Sequence, residues 1–301
     1  MHVLVLGSNG LLGSNVVTSA QNRNWTVSAT YHSSCPSFDL PRYQLDIRDT
    51  DGVREVIAET KPDLVVNCAA MTDVDGCEKY PEIAREINAR APGEIAGVCA
   101  ERGIRFLHVS TDYVFDGMTT GKYREEAQTN PLQVYGTSKR AGERVVEESA
   151  VDALIVRVSF LYGIKRSTGQ LTGFPAWVQR RLNDGERTPL FTDQNVTPTR
   201  AGQAADVLCD LLDSGVSGTF HVASRSCVTP YEFGMRLVQL LNADSALLSE
   251  GSQKDVEREA ERPSNTCLDV SRLERTLDRR QPTLKDDLES ISWAFNADSC
   301  A

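Results

Sequence analysis

Tyr135 and Lys139 stand four residues apart in Tyr135-Gly136-Thr137-Ser138-Lys139, so a helix there would set a phenol and an ammonium on one face. Such a pair suits acid catalysis. A free phenol titrates near pH 10, and a fixed cation beside it favours the ionised form and lowers that value, each unit corresponding to roughly 1.4 kcal/mol. The spacing alone is common on solvated helix faces. Two other segments give it weight.

At the amino terminus, Val3-Leu4-Val5-Leu6 reads as a buried strand that runs into Gly7-Ser8-Asn9-Gly10-Leu11-Leu12-Gly13, and an amphipathic helix follows from Leu11 to Ala20. In a strand, glycine turn and helix unit, Gly7 permits the tight turn, Gly10 lets backbone amides approach a pyrophosphate, and Gly13 lets the helix pack on the strand. The helix amino terminus then faces the anion. A glycine turn that holds no ligand is the alternative. The other segment runs from Arg105 to Gly117, with Phe106-Leu107-His108-Val109 as a strand and Ser110-Thr111-Asp112 where that strand ends. Ligands of open parallel sheets bind outside the carboxyl ends of the strands, so these polar side chains would share the crevice of the glycine turn. Equally, they could cap a turn.

The elements that must position these groups alternate. Strands are expected at Val3 to Leu6, Thr26 to Thr30, Leu64 to Asn67, Phe106 to Val109 and Ala153 to Val158, with helices from Leu11, near Thr50 to Thr60, from Pro81 to Arg102 and from Tyr135 to Ser149. Repeated β-α units imply a Rossmann-type, doubly wound parallel sheet. Pro92 should kink or break the third helix. Beyond Gly163 the rhythm changes: residues 164 to 175 read as a loop over the crevice, Pro175 to Asn183 as a helix, and Thr219 to Ala223 as a strand returning to the sheet. The expected division is therefore a dinucleotide-binding part over 1–163 and a smaller, interleaved substrate lobe over 164–301. Ser249 to Pro263, the most charged stretch, reads as a mobile solvated excursion.

A chain of 301 residues, 40% hydrophobic and 25% charged, is long enough for a full core and an annex. Its formal charge of −10, with no basic stripe, argues against a nucleic-acid partner. That acidity serves solubility or a salty habitat equally well. Eight cysteines show neither a C-x-x-C pair nor metal-type spacing and read as reduced thiols, Cys68 and Cys99 among apolar neighbours. No basic flank precedes the first apolar run, and no stretch nears the roughly 20 apolar residues a bilayer requires. A cytoplasmic protein without a membrane partner is the expectation.

Taken together, Gly7 to Gly13, Leu45-Asp46-Ile47, Pro62 to Thr72, Ser110 to Gly117, Tyr135 to Lys139, Asp193-Gln194 with Pro198-Thr199, and Arg262-Pro263 carry an identity. The chain resembles the dTDP-4-dehydrorhamnose reductases, within the extended short-chain dehydrogenase/reductases, from end to end. The resemblance implies Thr111, Tyr135 and Lys139 as a catalytic triad. It implies a cofactor held by Gly7, Asn9, Gly10, Leu11, Leu12 and Gly13, by Asp46 and Ile47 along the adenine, by Ala69, Ala70 and Thr72 along its centre, and by Tyr135 and Lys139. The substrate would meet Thr111, Asp112, Tyr135 and Phe160. Asn88 matches an asparagine associated with proton relay, a structural role being the alternative.

By the same resemblance, hydride would pass from the nicotinamide to the ketone of a 4-keto nucleotide sugar while Tyr135 protonates its oxygen, Lys139 tunes the phenol and Thr111 orients the carbonyl. Phe160 stands where these reductases usually carry tryptophan, and residues 164–174 depart from their pattern, so the sugar could differ. The second strand ends Ala29-Thr30-Tyr31-His32 without a carboxylate, which favours NADPH over NADH, although no arginine is evident there and His32 reads equally as a surface residue. Some members dimerise with the help of magnesium; no carboxylate cluster is assignable to that ion, and a homodimer is an expectation without assigned residues. Two other roles fit the same resemblance: an epimerase or dehydratase of nucleotide sugars, and a nucleotide-binding regulatory subunit of methionine adenosyltransferase.

Overall fold

The computed structural model describes residues 1–149 and 152–295. Its strands are β1 (His2–Leu6), β2 (Thr26–Tyr31), β3 (Arg42–Gln44), β4 (Leu64–Asn67), β5 (Arg105–Thr111), β6 (Ala153–Val158), β7 (Leu161–Lys165), β8 (Gln170–Thr172), β9 (Thr188–Phe191), β10 (Thr199–Arg200), β11 (Gly218–Val222) and β12 (Leu248–Gly251). The helices are α1 (Leu11–Asn22), α2 (Thr50–Thr60), α3 (Val74–Lys79), α4 (Pro81–Arg85), α5 (Ala91–Glu101), α6 (Val134–Ser149), α7 (Phe174–Asn183), α8 (Ala201–Asp213), α9 (Pro230–Leu241), α10 (Ser271–Thr276) and α11 (Leu284–Ser290).

Seven strands form one parallel sheet in the order β11-β6-β5-β4-β1-β2-β3. Alternation along β1 explains its two covers. Val3 and Val5 pack on α1 and α8 on one face, whereas Leu4 and Leu6 pack on α2 and α5 on the other. The sheet reverses between β1 and β4, whose carboxyl ends carry Gly7 and Ala69, so the crevice opens there. The expected doubly wound fold is present, and β11 returns to the sheet beside β6 as anticipated. Neither β3 nor α8 was anticipated.

The helix expected over Pro81 to Arg102 is divided. A π-turn at Glu86–Arg90 separates α4 from α5, in which Pro92 is the second residue. Proline has no N–H for the carbonyl of Asn88, four residues earlier, and the backbone widens there: Ala91 N–H donates to Glu86 instead.

A separate apolar cluster joins Tyr162, Val178, Leu182, Leu190, Phe233, Leu237, Leu284 and Leu288 beyond the sheet. Three expectations fail in this part. Residues 164 to 175 are not a plain loop: β7 and β8 pair antiparallel, and Asn15 holds the Ile164 carbonyl at 2.8 Å, so the turn is tied to α1. The charged stretch 249 to 263 is solvated along its carboxylates and Lys254, as expected, but is not a free excursion. β12 pairs with β9, Ser252 and Asp255 close a capping box, and Arg262 reaches Asp75 at 2.8 Å, which anchors the segment across a cleft. Nor are all cysteines thiols. Cys227 and Cys267 form a disulfide because both flank Asn195 and Val196, which bridge Asn265 and Val228, and this brings their Cα atoms to 5.6 Å across 40 residues of sequence.

Candidate active site

The glycine turn leaves the first backbone amides of α1 free to meet an anion. Gly7 has φ +75°, and a side chain there would meet the Ala69 backbone at 2.8 Å; Gly13 sits against Gly7 so closely that a Cβ would collide with its carbonyl. Helix α1 begins after Gly10 with no side-chain cap, which leaves its first amides open to a ligand. These features fit a dinucleotide phosphate. Gly10, Leu11, Leu12 and Gly13 line a cavity of about 480 Å³ together with Cys68, Ala70, Thr72, Ser110, Thr111, Asp112, Tyr135, Lys139 and Phe160. Thus the groups singled out from three distant segments meet in one place. A neighbouring cavity of about 200 Å³ is lined by Gly7, Thr30, His32, Asp46, Ile47, Arg48, Ala69 and Ala70, and Ala70 is common to both. Asn9 is placed differently: its amide donates to Ser34 and accepts from Ser167, tying the glycine turn to two surface segments.

At the end of β5, the Thr111 hydroxyl donates to Asp112 at 3.0 Å and accepts from the Tyr113 amide at 3.2 Å. Ser159 donates to the other Asp112 oxygen at 2.7 Å, and Thr266 adds a further hydroxyl. Burial raises the Asp112 pKa against these bonds. Asp112 therefore holds Thr111 from below as much as it lines the cavity. Beneath them, the fully buried Glu143 of α6 accepts from Ser110 at 2.5 Å and from Arg157 at 2.8 Å through both oxygens.

Tyr135 and Lys139 both line the cavity from α6, as their spacing predicts, but the electrostatics differ from the expectation. Burial raises the phenol's pKa rather than lowering it, Thr111 acts in the opposite direction, and Asp112 adds to the rise. Lys139 makes no such correction in this state because its ε-amino group turns inward: Nζ donates to the Val109 carbonyl at 2.6 Å and lies 3.2 Å from Nε2 of His108. Its own pKa falls to about 8, burial outweighing the attraction of Glu143. Asn88 is buried at the π-turn, where it bonds both backbone groups of Met71 and donates to Ser138 at 3.1 Å. It braces α6 from behind.

Phe160 connects this cavity to a wider one of about 670 Å³. Its backbone is left-handed, φ +44°, a conformation costing about 1–3 kcal/mol in a residue with a side chain, and its ring packs on Phe174 and Phe233 at 5.5 and 6.3 Å. The wider cleft is walled by Tyr113, Trp177, Phe191, Gln194, Arg258 and Arg262. Arg258 lies over the Phe191 ring at 4.9 Å, while Tyr113 meets Tyr135 edge-on at 6.0 Å. Sequence reasoning flagged Gln194 and Arg262 as markers without a role and missed Trp177, Phe191 and Arg258, which have no local signature. It also missed Arg48, which pairs with Asp46 at 2.5 Å beside His32. Among the described residues, no cluster of three or more His, Cys, Asp or Glu could hold a metal ion, and no helix is long and apolar enough to cross a membrane.

The profile of the family described as RmlD substrate binding domain matches residues 1–297. A probable low-salt glycan biosynthesis reductase, Agl14, of Haloferax volcanii is 50% identical over 98% of this chain and 99% of its own. A dTDP-4-dehydrorhamnose reductase of Streptomyces griseus is 36% identical over 89% and 86%, and the methionine adenosyltransferase 2 subunit beta of Bos taurus 30% identical over 98% and 88%. Among solved structures, dTDP-4-dehydrorhamnose reductase from Bacillus anthracis in complex with NADP superposes with a TM-score of 0.85 at 26% identity, over 96% of this chain and 97% of that one. The chain belongs to the dTDP-4-dehydrorhamnose reductase family of extended short-chain dehydrogenase/reductases and, as a member of it, is an NAD(P)H-dependent oxidoreductase.

Proposed function

We propose that this protein reduces the 4-keto group of a nucleotide-activated deoxysugar, with dTDP-4-dehydrorhamnose as substrate and dTDP-rhamnose as product. The observation that carries this reading is the meeting of Thr111, Tyr135 and Lys139 beside an uncapped helix terminus, in a cavity that Phe160 joins to an arginine- and aromatic-walled cleft. The nicotinamide group supplies the hydride. Tyr135 delivers the proton to the oxygen on which negative charge develops, and Lys139, once protonated, holds the phenol's proton affinity down. Thr111 releases Asp112 and turns its O–H toward that oxygen, a donor held at the site of developing charge. Asp112 keeps its other hydroxyl partners during that turn. In the wider cleft, Arg258 and Arg262 suit a diphosphate, and the rings of Phe191 and Trp177 suit a base.

For the cofactor we propose NADPH. His32 and Arg48 at the end of the smaller cavity offer donors to an additional phosphate, and no carboxylate ends β2. Reduction of dTDP-4-dehydrorhamnose, followed as loss of reduced-nicotinamide absorbance with NADPH and NADH in parallel, tests both parts. Absence of turnover, or equal turnover by Tyr135→Phe, overturns the assignment. A regulatory role is the second reading, supported by the likeness to a methionine adenosyltransferase subunit over 98% of the chain. Capture of a methionine adenosyltransferase, with no ketone reduction, would reverse the ranking.

A further inference from the structure

Behind Lys139 lies a chain of hydrogen bonds that the reaction just described does not use. His108 of β5 and Asn67 of β4 are register partners on adjacent strands and point to the same face of the sheet. Both are buried, at 0% and 1% exposure. The Asn67 carbonyl oxygen accepts from the Ala69 amide at 3.0 Å, which fixes the orientation of the side-chain amide. Its nitrogen consequently faces Nδ1 of His108, at 3.3 Å. An amide nitrogen only donates, so Nδ1 must accept and the ring proton of a neutral imidazole must sit on Nε2. Nε2 in turn lies 3.2 Å from Nζ of Lys139. An N–H directed at an ammonium is repulsive, whereas a neutral amine can accept from Nε2 while still donating to Val109.

We propose that His108 is the positioning residue of Lys139, and that its tautomer couples the charge of Lys139, through Asn67, to the Ala69 amide at the cofactor cleft. With Lys139 neutral, the chain runs as found. When Lys139 takes one proton from solvent, its ammonium requires an acceptor, and His108 exchanges its Nε2 proton for one on Nδ1. The imidazole remains neutral, and net uptake is the single proton on Lys139. Nδ1–H then needs the Asn67 oxygen, so the Asn67 amide turns over, its nitrogen comes to face the Ala69 N–H, and that N–H is left to find another acceptor. Ala69 lines the smaller cavity and touches Gly7, so the released donor is presented where the dinucleotide would lie. The neighbouring charges are consistent with such a switch. Cys68 from the end of β4 is held as a thiol, its pKa raised to about 12 by burial; Glu143 on α6 is paired with Arg157 of β6; Tyr135 and Asp112, on the open side, have raised pKa values. Burial, and then Lys139, keep His108 neutral across the range in which Lys139 titrates, its own pKa lying well below normal.

The effect on turnover rests on the proposed function, but the tautomer does not, and its test needs no activity. Nitrogen-15 spectra of the histidine-labelled full chain should show His108 protonated on Nε2 at high pH and on Nδ1 at low pH, with the midpoint near the Lys139 pKa of about 8. The Ala69 amide resonance should move with the same midpoint. Both should be flat in Lys139→Met. His108 is assigned by its loss in His108→Gln or, should that variant not fold, by replacing His2, His32 and His221 in turn. Nδ1 protonation throughout, or a tautomer change that persists in Lys139→Met, overturns the proposal. A matched switch in a protein that reduces no ketone would keep the coupling and sink the catalytic reading alone.

Discussion

The floor of the small cavity and the wall of the wide cleft solve different problems. On the floor, Ser110, Glu143 and Arg157 are closed to solvent and bonded to one another, and Asp112 is braced by the hydroxyls of Thr111, Ser159 and Thr266. On the wall, Arg258 rests on an aromatic face and Arg262 on the partly exposed Asp75. Fixed dipoles in a buried site act on developing charge without first reorganising, which suits chemistry. Long side chains at a cleft wall can adapt, which suits recognition. Rates should therefore respond to the floor and apparent affinities to the wall.

The sharpest way to break this contrast is Tyr135→Phe. Loss of the proton donor should reduce kcat about 10²- to 10⁴-fold with little change in substrate KM, as measured by steady-state kinetics. A KM effect of that size would place Tyr135 with the wall. Next, Glu143→Ala should cost about 3–5 kcal/mol of unfolding free energy in denaturant titrations, because it leaves the buried Arg157 charge without its partner. Were stability unchanged, the floor would not be the rigid element. On the other side, Arg258→Ala should raise KM for the nucleotide sugar about 10- to 150-fold, corresponding to the roughly 1.5–3 kcal/mol of a hydrogen bond to a charged group, and leave the cofactor KM as it was. An equal loss in kcat would erase the distinction.

The last effect concerns pH and is read as a slope, small over any one unit. Burial lowers the His221 pKa from 6.5 to about 3, so between those values the unfolded chain binds a proton that the folded one excludes. Stability from this site is lost as pH falls through that window, at roughly 1.4 kcal/mol per unit. Asp287, raised by burial from 3.8 to about 6, works in the opposite sense between those limits. Subtracting the pH slope of His221→Gln from that of the parent isolates the histidine. A slope unaltered by the replacement would show that His221 accepts its proton in the fold.

The half around β1 and α6 was the more legible part. β1, the glycine turn and α1 follow from residues within twenty positions of one another, and the i, i+4 relation of Tyr135 and Lys139 is set by helical geometry alone. The wide cleft was less so: Trp177, Phe191 and Arg258 come from separate segments, and a charged stretch reads as a free excursion until its partners are known. Phe160 was found through its neighbours in sequence, but its left-handed backbone was not, since the groups that hold it, the rings of Phe174 and Phe233 and the Thr199 amide on its carbonyl, come from distant positions.

Local periodicity and turn chemistry, then, were enough for the parallel sheet, the crevice at the ends of β1 and β5, and the side chains that line it. Which partner each of those side chains would choose was decided in three dimensions. Lys139 turns to His108 and Val109, Asp112 to Ser159 and Thr266, and Cys227 to Cys267. The reason is physical: a helix or strand period is imposed by neighbours along the chain, whereas hydrogen bonds and burial shifts depend on groups that only the folded sheet and its covers bring within a few ångströms.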